Sequence, residues 1–271
     1  MMKIYQVDAF TNQVFKGNPA GVCILPPDKM TDNELMQNIA MEMNLSETAF
    51  LCKQGAEYQL RWFTPETEVS FCGHATLSSA HILWETGVES KQDTIQFNTL
   101  TGKLFARYKQ GKVELDFPSF AVEKIPPHKE INKALGITPL FSGIANSRYL
   151  LEVNNLQTLQ SLQPDFAKLK ILGRAFCVTC GSDKPEYDFY SRYFAPAVGI
   201  NEDPVTGSAH ASLTPYWSKK LGKNILKAFQ ASKRGGILEC EMAENGRVLI
   251  RGDARTVFET RLVLSPLVGE S

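Results

Sequence analysis

The stretch RYFAPAVGINEDPVTGSAHASLTPYWSKKL at residues 192–221 repeats RWFTPETEVSFCGHATLSSAHILWE at residues 61–85. Arg61-Trp62-Phe63 matches Arg192-Tyr193-Phe194, Pro65 matches Pro196 and Val69 matches Ile200, all at an offset of 131. Gly73, Ala75 and Ser78 then match Gly207, Ala209 and Ser212 at an offset of 134. Three residues are therefore inserted, and this spacing places them between Cys72/Asp203 and the glycine. In each copy a polar strand end enters a Gly-x-Ala turn followed by an Ala, Ser and Leu run able to start a helix. The pattern reads as strand, tight turn, helix, made twice.

Such a turn has a chemical use. Glycine lets the chain bend sharply, and the first amides of a helix have no partner within it. With the helix dipole behind them, those N–H groups form an anion site. Two copies facing one another would present two donor sets across a cleft, one beside Cys72 and His74, the other beside Asp203 and Ser208. A small carboxylate fits between them. Gly73 and Gly207 also have a plainer use, close packing of helix on strand, but the repetition favours a site.

A duplication offset near half of the 271 residues argues for two domains, 1–120 and 121–271, each burying its own core, with the last strand able to cross back to the first domain. Basic and acidic residues balance at 29 each and no basic run occurs, so the electrostatic footprint of a nucleic-acid binder is missing. The N-terminus MMKIYQVDAF lacks the apolar region of a signal peptide, and no apolar run approaches bilayer length, which points to a soluble cytoplasmic protein without a membrane partner. Six scattered cysteines suit reduced thiols better than a disulfide frame. Cys177 and Cys180 have the spacing of a redox pair or half a zinc site, but no second pair answers them, and in a strand they point to opposite faces.

In chain order, residues 3–10 alternate as a strand and turn at Gly17-Asn18-Pro19 into a second one, giving a hairpin. Thr31-Asp32-Asn33-Glu34 reads as a capping box for a helix to about Met43. Glu47 follows it at an element edge, before the strand TAFLC. Three more strands lead to a proline-containing connector from Pro118 to Pro126-Pro127. The second half repeats the plan with a helix over 130–135, a strand at 147–153 and a helix over 156–169. Asn146-Ser147-Arg148 falls where Asn18-Pro19-Ala20 lies in the first half, and Asn245-Gly246 makes a closing hairpin. Pro215 should bend or end the second repeat helix. With strands outnumbering helices and no βαβ rhythm, the class is α+β, two related domains flanking a cleft, each with one long apolar helix inside a curled, mostly antiparallel sheet.

The motifs VDAFT, GNPAGV, NLSETAF at 44–50, Cys72-Gly73-His74-Ala75 and DPVTGSAH at 203–210 together resemble the phenazine-biosynthesis (PhzF) isomerase family, which shares the diaminopimelate epimerase fold. The resemblance covers nearly the whole chain. It implies two domains, each a sheet around a central helix, an active site between them, a homodimer, and neither metal nor organic cofactor. It also implies an isomerase that moves a proton between carbons of a small cyclic or unsaturated acid. Glu47 matches the family's catalytic acid/base, with His74, Asp203 and Ser208 at the supporting positions.

The residues agree with that chemistry. One carboxylic acid can take a proton from one carbon and return it at another. An exposed glutamate titrates near ~4.3, too low for an efficient acid at neutral pH, so Glu47 is expected to be buried. Substrate carboxylate and developing charge would lie on the amides at Gly73-His74 and Gly207-Ser208, with Cys72, Ala209, His210 and Asn18 as further contacts. Alternatives stay open. Glu47 fits a turn, His74 a backbone hydrogen bond, Asp203 a cap before Pro204, and His210 a packed helix position. Cys72 occupies the place of one of the paired thiol bases of the epimerases, so an epimerase or racemase using Glu47 and Cys72 is a second reading. A non-catalytic carboxylate-binding protein is a third.

Overall fold

The computed structural model describes residues 2–263. The first half runs β1 (Met2–Ala9), β2 (Asn18–Ile24), α1 (Asn33–Met43), β3 (Glu47–Gln54), β4 (Glu57–Phe63), β5 (Glu68–Val69), α2 (Gly73–Glu85), β6 (Ile95–Thr99), β7 (Gly102–Lys109) and β8 (Lys112–Pro118). β9 (Glu123–Lys124) ends the first half, and the second runs α3 (Lys129–Leu135), β10 (Phe141–Ala145), β11 (Arg148–Glu152), α4 (Leu156–Gln160), α5 (Phe166–Ile171), β12 (Ala175–Gly181), β13 (Phe189–Ala195), β14 (Ile200–Asp203), α6 (Gly207–Leu221), β15 (Ile225–Gln230), β16 (Gly236–Ala243), β17 (Arg247–Gly252) and β18 (Ala254–Leu262).

Strand pairing is the same in both halves. β2 lies parallel to β3, β3 antiparallel to β4, β4 parallel to β6, and β6, β7 and β8 continue antiparallel. β11, β12, β13, β15, β16 and β17 repeat that order and those directions. Each half thus holds two parallel pairs joined through helices, units that the absence of a βαβ rhythm in the sequence did not announce. The helical crossovers are short and set among hairpins, so no regular rhythm marks them in the sequence. The mixed α/β sheet is continuous, because β8 pairs with β17. Two strands also change sides: β18 pairs antiparallel with β1, and β9 with β10.

The α2 helix is buried along most of its length and packs on β1, β2, β3 and β8; α6 packs on β15, β16 and β17. A sheet closing over a central helix leaves that helix no solvent face, hence the run of Ala, Ser and Leu in place of an amphipathic stripe. Their inner faces form one contiguous core, with Phe10, Leu77 and Phe117 joined to Val205, Leu213 and Val248. This corrects the expectation of a separate core in each half. Among the described residues, separate clusters lie on the outer faces, under α1 in one half and under α3, α4 and α5 in the other.

Three local readings also change. The cap of α1 is Asp32, whose side chain accepts from the Leu35 amide at 3.0 Å, one residue later than a box on Thr31. The helix over 156–169 is two, because Pro164 interrupts it and Asp165 caps a new one. Pro215 does not end α6, which continues to Leu221. Without an N–H at Pro215 the Ala211 carbonyl has no helical partner, and the Phe120 amide donates to it at 3.0 Å instead. All six cysteines are free and buried, with Cys177 and Cys180 on opposite faces of β12. Among the described residues no helix is long and apolar enough to cross a membrane.

Candidate active site

The two glycine turns meet. A side chain at Gly73 would lie 3.7 Å from the Ser208 amide nitrogen and 3.8 Å from the Gly207 Cα. Neither helix start is closed by a side-chain cap: Cys72 precedes α2 and Thr206 precedes α6, and neither side chain bonds a first-turn amide. Gly73, His74, Gly207 and Ser208 therefore line one cavity of about 910 Å³ together with Glu47, Cys72, Asp203 and Arg148. Phe71, Phe117, Phe120 and Tyr193 supply apolar wall. Two uncapped helix starts thus face one cavity, an arrangement whose dipoles favour negative charge there.

Glu47 opens β3, linked through Leu45 and Ser46 to the left-handed Asn44 that ends α1. Its side chain is 13% exposed, and Oε2 is buried without a hydrogen-bond partner, 3.3 Å from His74 Nε2. Burial pushes the carboxyl above its ordinary range, against the opposing hydrogen bonds of Ser46 and Cys72. Burial likewise holds the Cys72 thiol well up, helped by the charge of Glu47, so it is a thiol and not a thiolate at neutral pH. His74 is pushed down by burial and is neutral. Its Nδ1 faces the Asn18 amide nitrogen at 3.2 Å, and its Nε2 faces Ser46 Oγ and Glu47 Oε2, each at 3.3 Å.

Asp203 ends β14 beneath the second turn. Its carboxylate accepts from Asn18 Nδ2 at 2.8 Å and from the Thr206 hydroxyl, which is thereby drawn away from capping α6. Gln230 fixes the backbone around it, accepting from the Thr206 amide and donating to the Asp203 carbonyl, both at 2.8 Å. Burial raises Asp203 to about 6, with His74 and Glu47 acting in opposite directions. Asn18, from the first half, donates also to the Val205 carbonyl at 2.8 Å and so ties the two turns together.

The register of the hairpins relocates the three extra residues. Trp62 pairs with Val69, and its counterpart Tyr193 pairs with Asp203. Arg61 grips Glu68 with two hydrogen bonds as Arg192 grips Glu202. Asp203 is thus the counterpart of Val69, Thr206 that of Cys72, and the insertion lies in the loop around Pro196–Val198. The match of Val69 to Ile200 at 131 arose because both are apolar, whereas pairing direction is a property of the sheet.

The profile of the phenazine biosynthesis-like protein family (PhzC-PhzF) matches residues 7–260. The chain belongs to this family. An uncharacterized isomerase of Halalkalibacterium halodurans is 52% identical over 264 residues, covering 96% of this chain and 98% of that protein. A PhzF-family crystal structure from Enterococcus faecalis superposes with a TM-score of 0.91 at 43% identity, covering 97% of this chain and 99% of that one. A probable proline racemase of Agrobacterium radiobacter, at 12% identity and a TM-score of 0.67 over 99% of this chain and 94% of that one, shares the fold alone. Relatives from 42 to 52% identical are named isomerases, and the chain is an isomerase of the PhzF family.

Within this PhzF-family cleft, three residues expected as substrate contacts do not line the cavity. Asn18 is fully buried below it, bonded to His74 and Asp203. The Ala209 amide is already bonded to the Thr206 carbonyl, and its methyl is in the core. His210 lies behind the turn, stacked on Phe189 with Nδ1 2.9 Å from the Thr206 carbonyl, and burial lowers it to about 4. Arg148 and Gln230 escaped the sequence reading as functional residues. Arg148 had one signal, its place beside Asn146 in the repeat.

Proposed function

We propose that this isomerase shifts a proton on a small cyclic or unsaturated carboxylic acid, with Glu47 as the single acid/base and no second base. The carboxylate sits on the amides of Gly73, His74, Gly207 and Ser208, which also take up charge as the α-carbon loses its proton. Glu47 accepts that proton and delivers it to another carbon of the same conjugated system. His74, 3.3 Å from Glu47, and Asp203, held by Asn18 beside the same ring, set the position and proton affinity of the acid. The observation that carries this reading is a buried carboxyl oxygen with no partner, on the wall of a cavity into which two uncapped helix starts point.

The epimerase reading draws less support. Two-base inversion needs groups on opposite faces of the carbon, whereas Glu47, Cys72 and His74 bring their polar atoms within 4.8 Å of one another on one side. Cys72's counterpart across the site is Thr206, which has no thiol. The same three residues have the number of ligands of a metal site. The neutral thiol and the engaged ring nitrogens of His74 suit an acid–base group better.

The test uses solvent deuterium. Cyclic and unsaturated carboxylic acids that bind the protein by calorimetry are incubated with it in heavy water and examined by mass spectrometry. Carbon-bound label that Glu47→Gln abolishes, with binding retained, is the expected result. Bound acids that never take up label, or label that persists in Glu47→Gln, would refute the proposal.

A further inference from the structure

Among the described residues, Arg148 is a buried cation with no anion beside it. It opens β11 on the cavity wall, 9% exposed, and its Nε is buried without a hydrogen-bond partner. Its contacts are Nη1 to Ser208 Oγ at 3.4 Å, the outer limit of a hydrogen bond, and the Tyr193 ring 5.6 Å from the guanidinium carbon. The other cavity cations differ. Lys103 pairs with Glu57 and Arg247 with Asp116, while Lys170 is exposed. Among the described residues no acidic side chain pairs with Arg148. A guanidinium taken out of water is unfavourable unless something supplies the opposite charge, and it is built to grip a carboxylate with two parallel hydrogen bonds.

Its place in the repeat says where that charge comes from. Ala20 stands opposite Glu47 in β2 and β3, and in the corresponding parallel pair Arg148 stands opposite Ala175. One half of the site therefore presents a carboxyl group and the other a guanidinium, on either side of the joined turns. We propose that Arg148 holds a second anionic group, and that the substrate is a small diacid. Its first carboxylate rests on the turn amides, its second on Arg148, and the carbons between them face Glu47. This rests on the reading of the turns as a carboxylate seat.

The experiment is isothermal titration of the full chain with succinate and with butyrate, equal in length and differing by one carboxylate. The wild type is expected to bind succinate roughly ten- to hundredfold more tightly, as for gain of charge-assisted hydrogen bonds. Arg148→Gln removes that preference and leaves butyrate affinity within about threefold, while Arg148→Lys, which keeps the charge without the fork, retains part of it. Equal binding of the two acids by the wild type, or an undiminished preference in a folded Arg148→Gln, overturns the assignment and leaves the turn seat standing. Failure of both acids to bind removes the turn seat, and Arg148's role with it. The wild-type and Arg148→Lys measurements decide the matter even where the Gln variant does not fold.

Discussion

At the scale of single residues the site is set by burial acting on opposite charge types. Burial raises Asp203 from its ordinary 3.8 to about 6, so the native state holds that proton more tightly than the unfolded chain. Its contribution to stability is complete below 3.8 and is lost as pH rises through about 6. His74 acts the other way: its lowered pKa means that stability falls as pH drops below its ordinary 6.5. The wild-type profile is the resultant of these slopes, so the informative quantity is a difference. Thermal melts of Asp203→Asn and wild type across this range should show the variant gaining on the wild type as pH rises from about 4 to about 6, with the gap then constant. Parallel profiles would mean that Asp203 titrates at its ordinary value. How much of this was legible depended on the residue. Glu47 is findable because it follows a helix end within a recognisable run. Arg148 is not, since what distinguishes it is a missing partner, and partners are settled by the fold.

Elements carry the next level of control, and here the turns are held from outside themselves. The glycine positions announced the turns, but the Thr206 hydroxyl that would ordinarily cap α6 is turned toward Asp203, and the backbone is fixed by Gln230 from β15. A glutamine ending an alternating strand gives no hint of this in the sequence, because it lies 24 residues from Thr206. Gln230 is fully buried, so Gln230→Ala leaves the Thr206 amide and the Asp203 carbonyl without partners. Each such loss costs about 1–3 kcal/mol, and the variant should melt several degrees lower. Butyrate affinity should fall alongside, because the Ser208 amide belongs to the turn that Gln230 steadies. A variant that melts and binds like the wild type would show the bridge to be idle. The same outside support explains Pro215. The α6 helix runs on past it because the donor that relieves the Ala211 carbonyl comes from Phe120, in the connector.

Over the whole molecule the duplication is evident in sequence, but the degree of fusion between the copies is not. Repetition suggests two self-sufficient units. The strand pairing says otherwise, since β18 completes the first half from the end of the second, β9 borders the second from the end of the first, and β8 and β17 join the two sheets edge to edge. Phe10, from the first half, lies against Gly207 and Gly252 of the second, and its carbonyl accepts from the Ile237 amide at 2.9 Å. Asp8, wholly buried, is paired with Arg234 at 2.7 Å across the same boundary. Unfolding either half alone would expose an unpaired sheet edge and open the shared core, both strongly unfavourable. The two halves are therefore expected to melt together, as one calorimetric transition whose van't Hoff enthalpy matches the measured enthalpy, although the chain exceeds the usual size for that behaviour. Two resolved transitions, or a van't Hoff enthalpy near half the calorimetric one, would show that the halves open separately. That distinction bears on the proposed function, because the proposed acid on β3 and the proposed anion seat shared with α6 keep their spacing only while both halves are closed.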